Sequence, residues 1–124
     1  MNIAEWLAAT ARLRPNAPAL LTGFDLDADY ATFARRAAAI GAVLARDYAV
    51  APGDRVGLFA TNCTQYLECL YGIWWIGAVA IPINAKLHGR EARGFWAMPA
   101  PGSCLCPTTR PRRWLKPKAI FLPR

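Results

Sequence analysis

The feature that most constrains the fold is a strand, a helix and a second strand within about thirty residues, the size of a β-α-β unit. Residues 56–60 form a short apolar run, residues 64–76 are apolar on nearly all sides, and residues 78–81 form a second apolar run. Such a unit pairs its strands in parallel through a right-handed crossover, and parallel sheets carry helices on both faces. The pattern predicts an α/β protein with a parallel sheet that needs a larger body around it.

Two helices and a short strand are predicted before this unit. Asn2 is a candidate N-cap for the first helix, and Pro15 ends it because proline lacks a backbone N–H. Residues 19–22 predict a strand, and residues 23–29 predict a turn or hairpin. The apolar face predicted for the first helix consists of Ile3, Trp6, Leu7 and Leu13. The second helix carries an apolar stripe at spacings of three and four: Tyr30, Phe33, Ala37, Ile40 and Leu44.

Local signals mark the ends of the central elements. Pro52 and Gly53 predict a type II turn, in which glycine supplies the positive φ. Asn62 is the expected N-cap of the helix at residues 64–76, with Gln65 completing a variant capping box. Gly77 is the expected stop of that helix.

Charge divides the chain into two kinds of sequence. Residues 1–92 carry eight basic and eight acidic side chains, whereas residues 93–124 carry seven basic ones and no acidic one. Residues 93–124 also hold six of the ten prolines, so no long helix or central strand is expected there. The sequence predicts an ordered segment over residues 1–92 and a basic, Pro-rich, irregular and disordered tail over residues 93–124.

The charged and apolar runs of the ordered segment have ordinary explanations. Arg35, Arg36 and Arg46 lie off the apolar stripe and are interpreted as a solvated face. Residues 69–83 lack charge but number fifteen, fewer than the roughly 17–25 that a spanning helix needs. Since Glu5 stands where a signal peptide would be basic, we expect no signal peptide and a cytoplasmic location.

The cysteines and the histidine do not form a recognisable site. Cys63 and Cys69 fall near the apolar helix, where a free cysteine acts as a small hydrophobe. Cys104 and Cys106 are too close for a usual zinc half-site, and His88 has no obvious partner. The sequence therefore predicts no catalytic, no cofactor-binding and no metal-binding residue.

An ordered set of motifs resembles a known family. Residues 50–56, Asn62, Gly72 and residues 77–84 are similar to the N-terminal region of AMP-forming acyl-CoA synthetases, in the adenylate-forming superfamily. Residues 30–46 and 87–91 fit the same pattern, so the resemblance covers about residues 2–92. It implies a parent ligase that uses ATP and Mg²⁺ to convert a fatty or aromatic acid into an acyl-adenylate, and then passes the acyl group to coenzyme A.

The resemblance also implies that the catalytic groups lie further along the family sequence. The phosphate loop, the metal carboxylate, the ribose aspartate and the C-terminal lysine all follow the matched region in the family. Residues 107–112 with Lys116 resemble a phosphate loop only faintly, because they lack glycine. We therefore expect this chain to bind no ATP, Mg²⁺ or coenzyme A and to be catalytically inactive.

Two interpretations of the tail stay open. The simultaneous change in charge, proline content and family pattern after residue 92 is typical of out-of-frame translation, which would make the chain a truncated, frameshifted synthetase. Alternatively, the chain is a small noncatalytic binding module whose native basic tail contacts nucleic acid or another acidic partner. The seven charges form no amphipathic pattern, so a nucleic-acid partner is not the expectation.

Overall fold

The computed structural model describes residues 2–84, 103–106 and 119–121. Over residues 2–84 the helices and strands follow the order that the sequence predicts, whereas the strands at residues 103–106 and 119–121 were not predicted. The elements are α1 (Ala4–Leu13), β1 (Pro18–Thr22), β2 (Asp25–Asp29), α2 (Tyr30–Tyr48), β3 (Arg55–Ala60), α3 (Thr64–Trp75), β4 (Val79–Asn84), β5 (Ser103–Cys106) and β6 (Ala119–Phe121).

The predicted apolar face of α1 is wrong in most positions. Leu7 is buried as expected, but the other buried residue of α1 is Ala4, whereas Ile3, Trp6 and Leu13 are exposed. The helix packs against α2 and α3 through the side that carries Ala4 and Leu7.

Ile3, and not the predicted Asn2, occupies the N-cap position of α1, but the Asn2 side chain hydrogen-bonds to the start of α1 and reaches another helix. Its side-chain oxygen accepts a hydrogen bond from the Ala4 N–H at 3.0 Å. Its amide nitrogen donates to the Trp74 carbonyl, at the end of α3, at 2.6 Å. One side chain thereby joins two helix ends.

The predicted hairpin and the stripe of α2 are confirmed. β1 and β2 pair antiparallel around Gly23, whose φ is +64°. Asp29 caps α2 by accepting the Thr32 N–H at 2.8 Å, and this hydrogen bond lowers the pKa of the Asp29 carboxyl. The stripe of α2 faces the interior, with Phe33, Ala37 and Leu44 buried.

The β-α-β unit has the predicted parallel pairing. β3 and β4 are in register from Arg55 opposite Val79 to Ala60 opposite Asn84. The turn before β3 also has the predicted form, because Gly53 has φ +88° and the Asp54 N–H donates to the Ala51 carbonyl at 3.1 Å.

The two ends of α3 differ in how well the sequence predicts them. Asn62 is not the N-cap: Cys63 occupies that position, and it makes no side-chain capping hydrogen bond. At the other end Gly77 stops the helix with φ +74°. Its N–H donates to the Trp74 carbonyl at 2.9 Å and the Ala78 N–H donates to the Ile73 carbonyl at 3.1 Å, the two bonds of a Schellman motif.

Two short strands of the tail extend the sheet. The strand order is β4-β3-β5-β6, with β5 parallel to β3 and β6 parallel to β5. β5 has four residues and β6 has three, in keeping with the limit that the surrounding prolines set. Apart from β5 and β6, residues 93–124 lie outside the described residues. The disorder predicted for this tail therefore stays a prediction.

Two apolar clusters hold these elements together. The first lies between α2, α3 and the sheet: Leu44, Val50, Val56, Leu58, Cys69, Ile73 and Ala78. The second joins α1, the hairpin and α2: Leu7, Leu20, Ala28, Phe33, Ala34 and Ala37. No helix in the described part of the chain is both long and apolar enough to cross a membrane.

Candidate functional site

A groove of about 390 Å³ lies between the hairpin and the beginning of α3. β1 forms one wall and the first turn of α3 forms the other. The lining residues are Ala19, Leu20, Leu21, Thr22, Asn62, Cys63, Thr64 and Leu67.

The chemistry of the groove is apolar and neutral. Its lining residues supply aliphatic surface, hydroxyl groups, one amide and one thiol, and none of them is charged. A thiol without a neighbouring base among these residues is not an activated nucleophile. The groove can hold an apolar segment, and its walls carry no carboxylate, imidazole or amine for general acid–base catalysis.

An ion pair joins α2 to α3. The Arg36 guanidinium donates to a Glu68 carboxylate oxygen at 2.9 Å. Glu68 is buried, whereas the Arg36 side chain is 46% exposed. Arg36 is exposed, as the solvated-face interpretation predicts, and it also pairs with a buried carboxylate on a helix distant in sequence.

The other arginines of that face behave differently. Arg35 is exposed, as predicted. Arg46 is also exposed and makes a local two-contact pair with Asp47, at 2.6 and 2.9 Å. This pairing lowers the pKa of the Asp47 carboxyl. Arg35, Arg36 and Arg46 therefore form no binding patch, since each of the three is solvated or is paired with a carboxylate of the same chain.

Several of the described carboxylates have structural partners. Asp29 caps α2, Glu68 pairs with Arg36, and an Asp54 carboxylate oxygen accepts the Ala51 N–H at 2.8 Å. Across residues 2–84, 103–106 and 119–121, no three His, Cys, Asp or Glu residues come together in a way that could hold a metal ion. These residues do not fit an ATP–Mg²⁺ site.

The two cysteines of α3 and its cap lie in different environments. Cys69 is a buried member of the core, as predicted, and burial raises the pKa of its thiol to about 12. Cys63 is exposed, contrary to the prediction, because it stands at the turn before the helix and not on the packed face. Its exposure gives the groove a reactive marker.

The structure describes no side chain for the remaining candidate residues. His88, residues 107–112 and Lys116 are outside them, and Cys104 and Cys106 are described as positions in β5. The prediction that the chain carries no catalytic, cofactor-binding or metal-binding residue stays a prediction. The sequence missed the groove because Leu21 and Leu67 come together only through the tertiary packing.

Sequence comparison identifies relatives of the ordered segment. The model of the AMP-binding enzyme family matches residues 7–97, which is most of the chain. Over 40 residues the chain is 48% identical to the crotonobetaine/carnitine–CoA ligase of Salmonella paratyphi B. That stretch is 32% of this chain and 8% of the ligase, so the similarity covers a small part of the curated relative.

Solved structures share the fold over most of the chain. The O-succinylbenzoate coenzyme A synthetase of Bacillus subtilis, in complex with AMP, matches 94% of this chain with a TM-score of 0.83 at 19% identity. A fatty acyl CoA synthetase of Mycobacterium tuberculosis matches 85% of it with a TM-score of 0.73 at 28% identity. The chain covers 30% and 21% of these two enzymes. The chain therefore belongs to the AMP-binding enzyme family, and it corresponds to the N-terminal part of an AMP-forming synthetase.

Proposed function

We propose that this chain is the N-terminal segment of an ATP-dependent acid–CoA ligase. The observation that carries the proposal is that the family match at residues 7–97 spans nearly all the elements from α1 to β4. The parent enzyme would activate a fatty or aromatic carboxylic acid as an acyl-adenylate, with ATP and Mg²⁺, and transfer the acyl group to coenzyme A. A parent enzyme that uses these cofactors fits the cytoplasmic location predicted above, which cell fractionation would test.

In this proposal the segment is a scaffold. Asp29 caps a helix, Glu68 pairs with an arginine, and the residues that line the groove carry no charge. Stabilisation of the charge that develops in adenylation needs cationic or metal groups aimed at the phosphates. The family resemblance assigns these groups to sequence beyond the matched segment. The 124-residue chain is accordingly inactive as a ligase.

An ATP–pyrophosphate exchange assay tests this inactivity. With a panel of fatty and aromatic acids, we expect the full chain to give no exchange above a protein-free blank. The Salmonella crotonobetaine/carnitine–CoA ligase, with its own substrate, is the positive control. Exchange that depends on an added acid and scales with the concentration of this chain would contradict the proposal.

We further propose that residues 93–124 arise from a change of reading frame. Supporting it are the seven basic residues without an acidic one, the six prolines and the end of the family match at residue 97. Sequencing the gene through codon 92 and beyond the stop codon, with translation in all three frames, tests the idea. A second frame that continues the family pattern is the expected result. If no frame continues it, the frame change is rejected.

The binding-module function is a second candidate, favoured by one observation. All of the net charge of +7 resides in residues 93–124, which would suit an acidic partner. A native basic tail of this kind binds DNA or RNA with an affinity that falls steeply as salt rises. A filter-binding titration at several salt concentrations distinguishes the two functions, and we expect no salt-dependent binding.

A further inference from the structure

We infer that the exposed apolar side of α1 is an interface at which two copies of this chain pair, with their α1 helices antiparallel about a two-fold axis. This side is called the α1 stripe and consists of Ile3, Trp6, Thr10 and Leu13. The inference goes beyond the proposed ligase function and does not depend on it, because it uses only the described surface of α1.

The α1 stripe is continuous along the helix. Its residues are three, four and three positions apart, which places them on one side of an α-helix. Ile3 belongs to this side although it is the N-cap, because its backbone is helical, with φ −56° and ψ −33°. The helix buries Ala4 and Leu7 against α2 and α3. The stripe therefore lies beside the contact with the core and takes no part in it.

The α1 stripe exposes large apolar side chains. Ile3 is 44% exposed, Trp6 is 64% exposed and Leu13 is 82% exposed. The Thr10 hydroxyl donates a hydrogen bond to the Trp6 carbonyl at 2.8 Å, so this polar group has a partner within the helix. Exposed apolar patches mark interaction sites, and tryptophan is enriched among the residues that contribute most to binding. The stripe thus has the composition of an interface centre.

Two charged residues lie next to the stripe, on the side away from α2 and α3. Glu5 in the first turn of α1 and Arg12 in its last turn are seven residues apart, or two helical turns, so they lie along one line of the helix. Both are exposed, and neither forms an ion pair with another described residue. α1 therefore presents one negative and one positive charge along the same border of its apolar stripe.

A second copy of α1 complements both features. The stripe is centred on Ala8 and the two charges are centred one half-step further on, so one two-fold axis relates each set to itself. In an antiparallel pair about this axis, Ile3 of one copy meets Leu13 of the other. Glu5 of one copy likewise meets Arg12 of the other, and the symmetry forms this ion pair twice. A parallel pair would instead place like charges together, so the charges select the antiparallel dimer.

Charge reversal tests the pairing. Glu5→Arg leaves only basic side chains along the border of the stripe, and Arg12→Glu leaves only acidic ones. Each variant should repel its own copies and attract the other variant. The two full-length variants are mixed in equal amounts, and native mass spectrometry separates the mixed dimer from the two like dimers by mass. We expect the mixed dimer to exceed the proportion given by random pairing by at least about tenfold.

This mixing experiment is specific for α1. Association through another surface, such as the outer edge of β4, would pair the two variants at random. The mixed dimer also serves as a folding control, since its formation requires that each variant retains its α1 helix. An equal mixture of the wild-type chain and Arg35→Glu, which reverses an exposed charge on α2, should pair at random.

Trp6→Glu tests the apolar part of the interface. We expect this change to raise the dissociation constant of the dimer by at least about tenfold, because tryptophan anchors dominate interface energetics. Phe24→Glu makes the same kind of change at an exposed residue of the hairpin and should leave the dissociation constant unchanged. Analytical ultracentrifugation measures the constants, and far-UV circular dichroism verifies that both variants keep the helix content of the wild-type chain.

Three results would overturn the inference. The first is a wild-type chain that forms no dimer at any concentration tested. The second is random pairing of the two charge variants, or a dimer that Trp6→Glu leaves unchanged. The third is a monomer that binds phosphatidylserine vesicles through Trp6, which would assign the stripe to a lipid surface. Glu5 at the border of the stripe opposes an anionic membrane, so we expect no such binding.

Discussion

At the residue scale, Ala49 holds a conformation that alanine disfavours. It follows α2 with φ +53°, the one positive φ of a non-glycine residue in the described part of the chain. This left-handed conformation satisfies the end of the helix, since the Val50 N–H donates to the Leu44 carbonyl at 3.1 Å. The conformation costs a side chain with a Cβ about 1–2 kcal/mol.

Replacement of Ala49 by glycine should therefore stabilise the chain. We expect Ala49→Gly to raise the free energy of unfolding by about 0.5–1 kcal/mol, because the strain relieved exceeds the entropy that glycine adds to the unfolded chain. Urea unfolding at low protein concentration measures the change. The matched control is Ala39→Gly, at an exposed position inside α2, which should lower stability by about 1 kcal/mol. Equal signs for the two variants would contradict the prediction.

The two cysteines near the start of α3 should differ sharply in reactivity. Because burial raises the pKa of Cys69 to about 12, its thiol stays protonated at pH 8, whereas Cys63 is exposed. We expect iodoacetamide to label Cys63 readily and Cys69 at least about a hundredfold more slowly, since the thiolate is the nucleophile. Peptide mass spectrometry resolves the two sites.

Denaturation provides the control for this difference. In concentrated urea both thiols are exposed, and their labelling rates should become similar. Rapid labelling of Cys69 in the folded chain would show that the core around α3 is open.

At the scale of elements, α2 and α3 pack closely through two glycines. A Cβ placed on Gly72 would lie 2.6 Å from Cγ2 of Ile40 and 3.0 Å from the Ala37 carbonyl oxygen. A Cβ on Gly41 would lie 2.9 Å from the Gly72 carbonyl oxygen. These backbones touch where no side chain can fit, which also brings Arg36 within reach of Glu68.

Gly72→Ala should separate the two helices and lower stability. We expect a loss of about 1–3 kcal/mol, the usual range for overpacking a core, although alanine is the better helix former. The change is measured by urea unfolding. A neutral or stabilising effect would mean that the helices are not in close contact.

A double variant checks the cause. Ile40→Ala removes Cγ2, the atom nearest to the added methyl group, and leaves the Cβ of residue 40 at 2.8 Å. In the Ile40→Ala background, Gly72→Ala should cost clearly less than in the parent chain, because the two changes share one space. Additive effects would assign the loss to the contacts that remain, with the Cβ of residue 40 and the Ala37 carbonyl oxygen.

At the scale of the whole molecule, the segment leaves much apolar surface and a strand edge uncovered. Trp6, Leu13 and Phe24 are exposed, and Val79 lies 48% exposed on β4, an outermost strand of the described sheet. Pro82 removes one N–H from β4, a change that an outermost strand tolerates. Such edges and apolar surfaces promote aggregation.

We expect the isolated chain to self-associate as its concentration rises. Val79→Lys should shift the association to higher concentration, because a lysine on an edge strand opposes pairing with another chain. Analytical ultracentrifugation measures the effect. The control Ala39→Lys adds the same charge to an exposed position of α2 and should change association less. A wild-type chain that stays monomeric and unfolds in one sharp transition would contradict this prediction.

The sequence by itself determined the elements from α1 to β4 and their order. Hydrophobic periodicity located α2 and α3, while Gly53 and Gly77 located a turn and a helix end, since positive φ is a local requirement of the backbone. The parallel pairing of β3 and β4 followed from the spacing of their connection. Each of these features depends on residues close together in the chain.

Only the tertiary structure decided which surfaces meet. It buried Ala4 instead of Trp6 in α1, moved the cap of α3 from Asn62 to Cys63, and joined Arg36 to Glu68. It also formed the groove between β1 and α3. These outcomes depend on contacts between residues that are far apart in sequence. Close packing, such as that at Gly72, sets the distances between those residues, and no local sequence pattern encodes these distances.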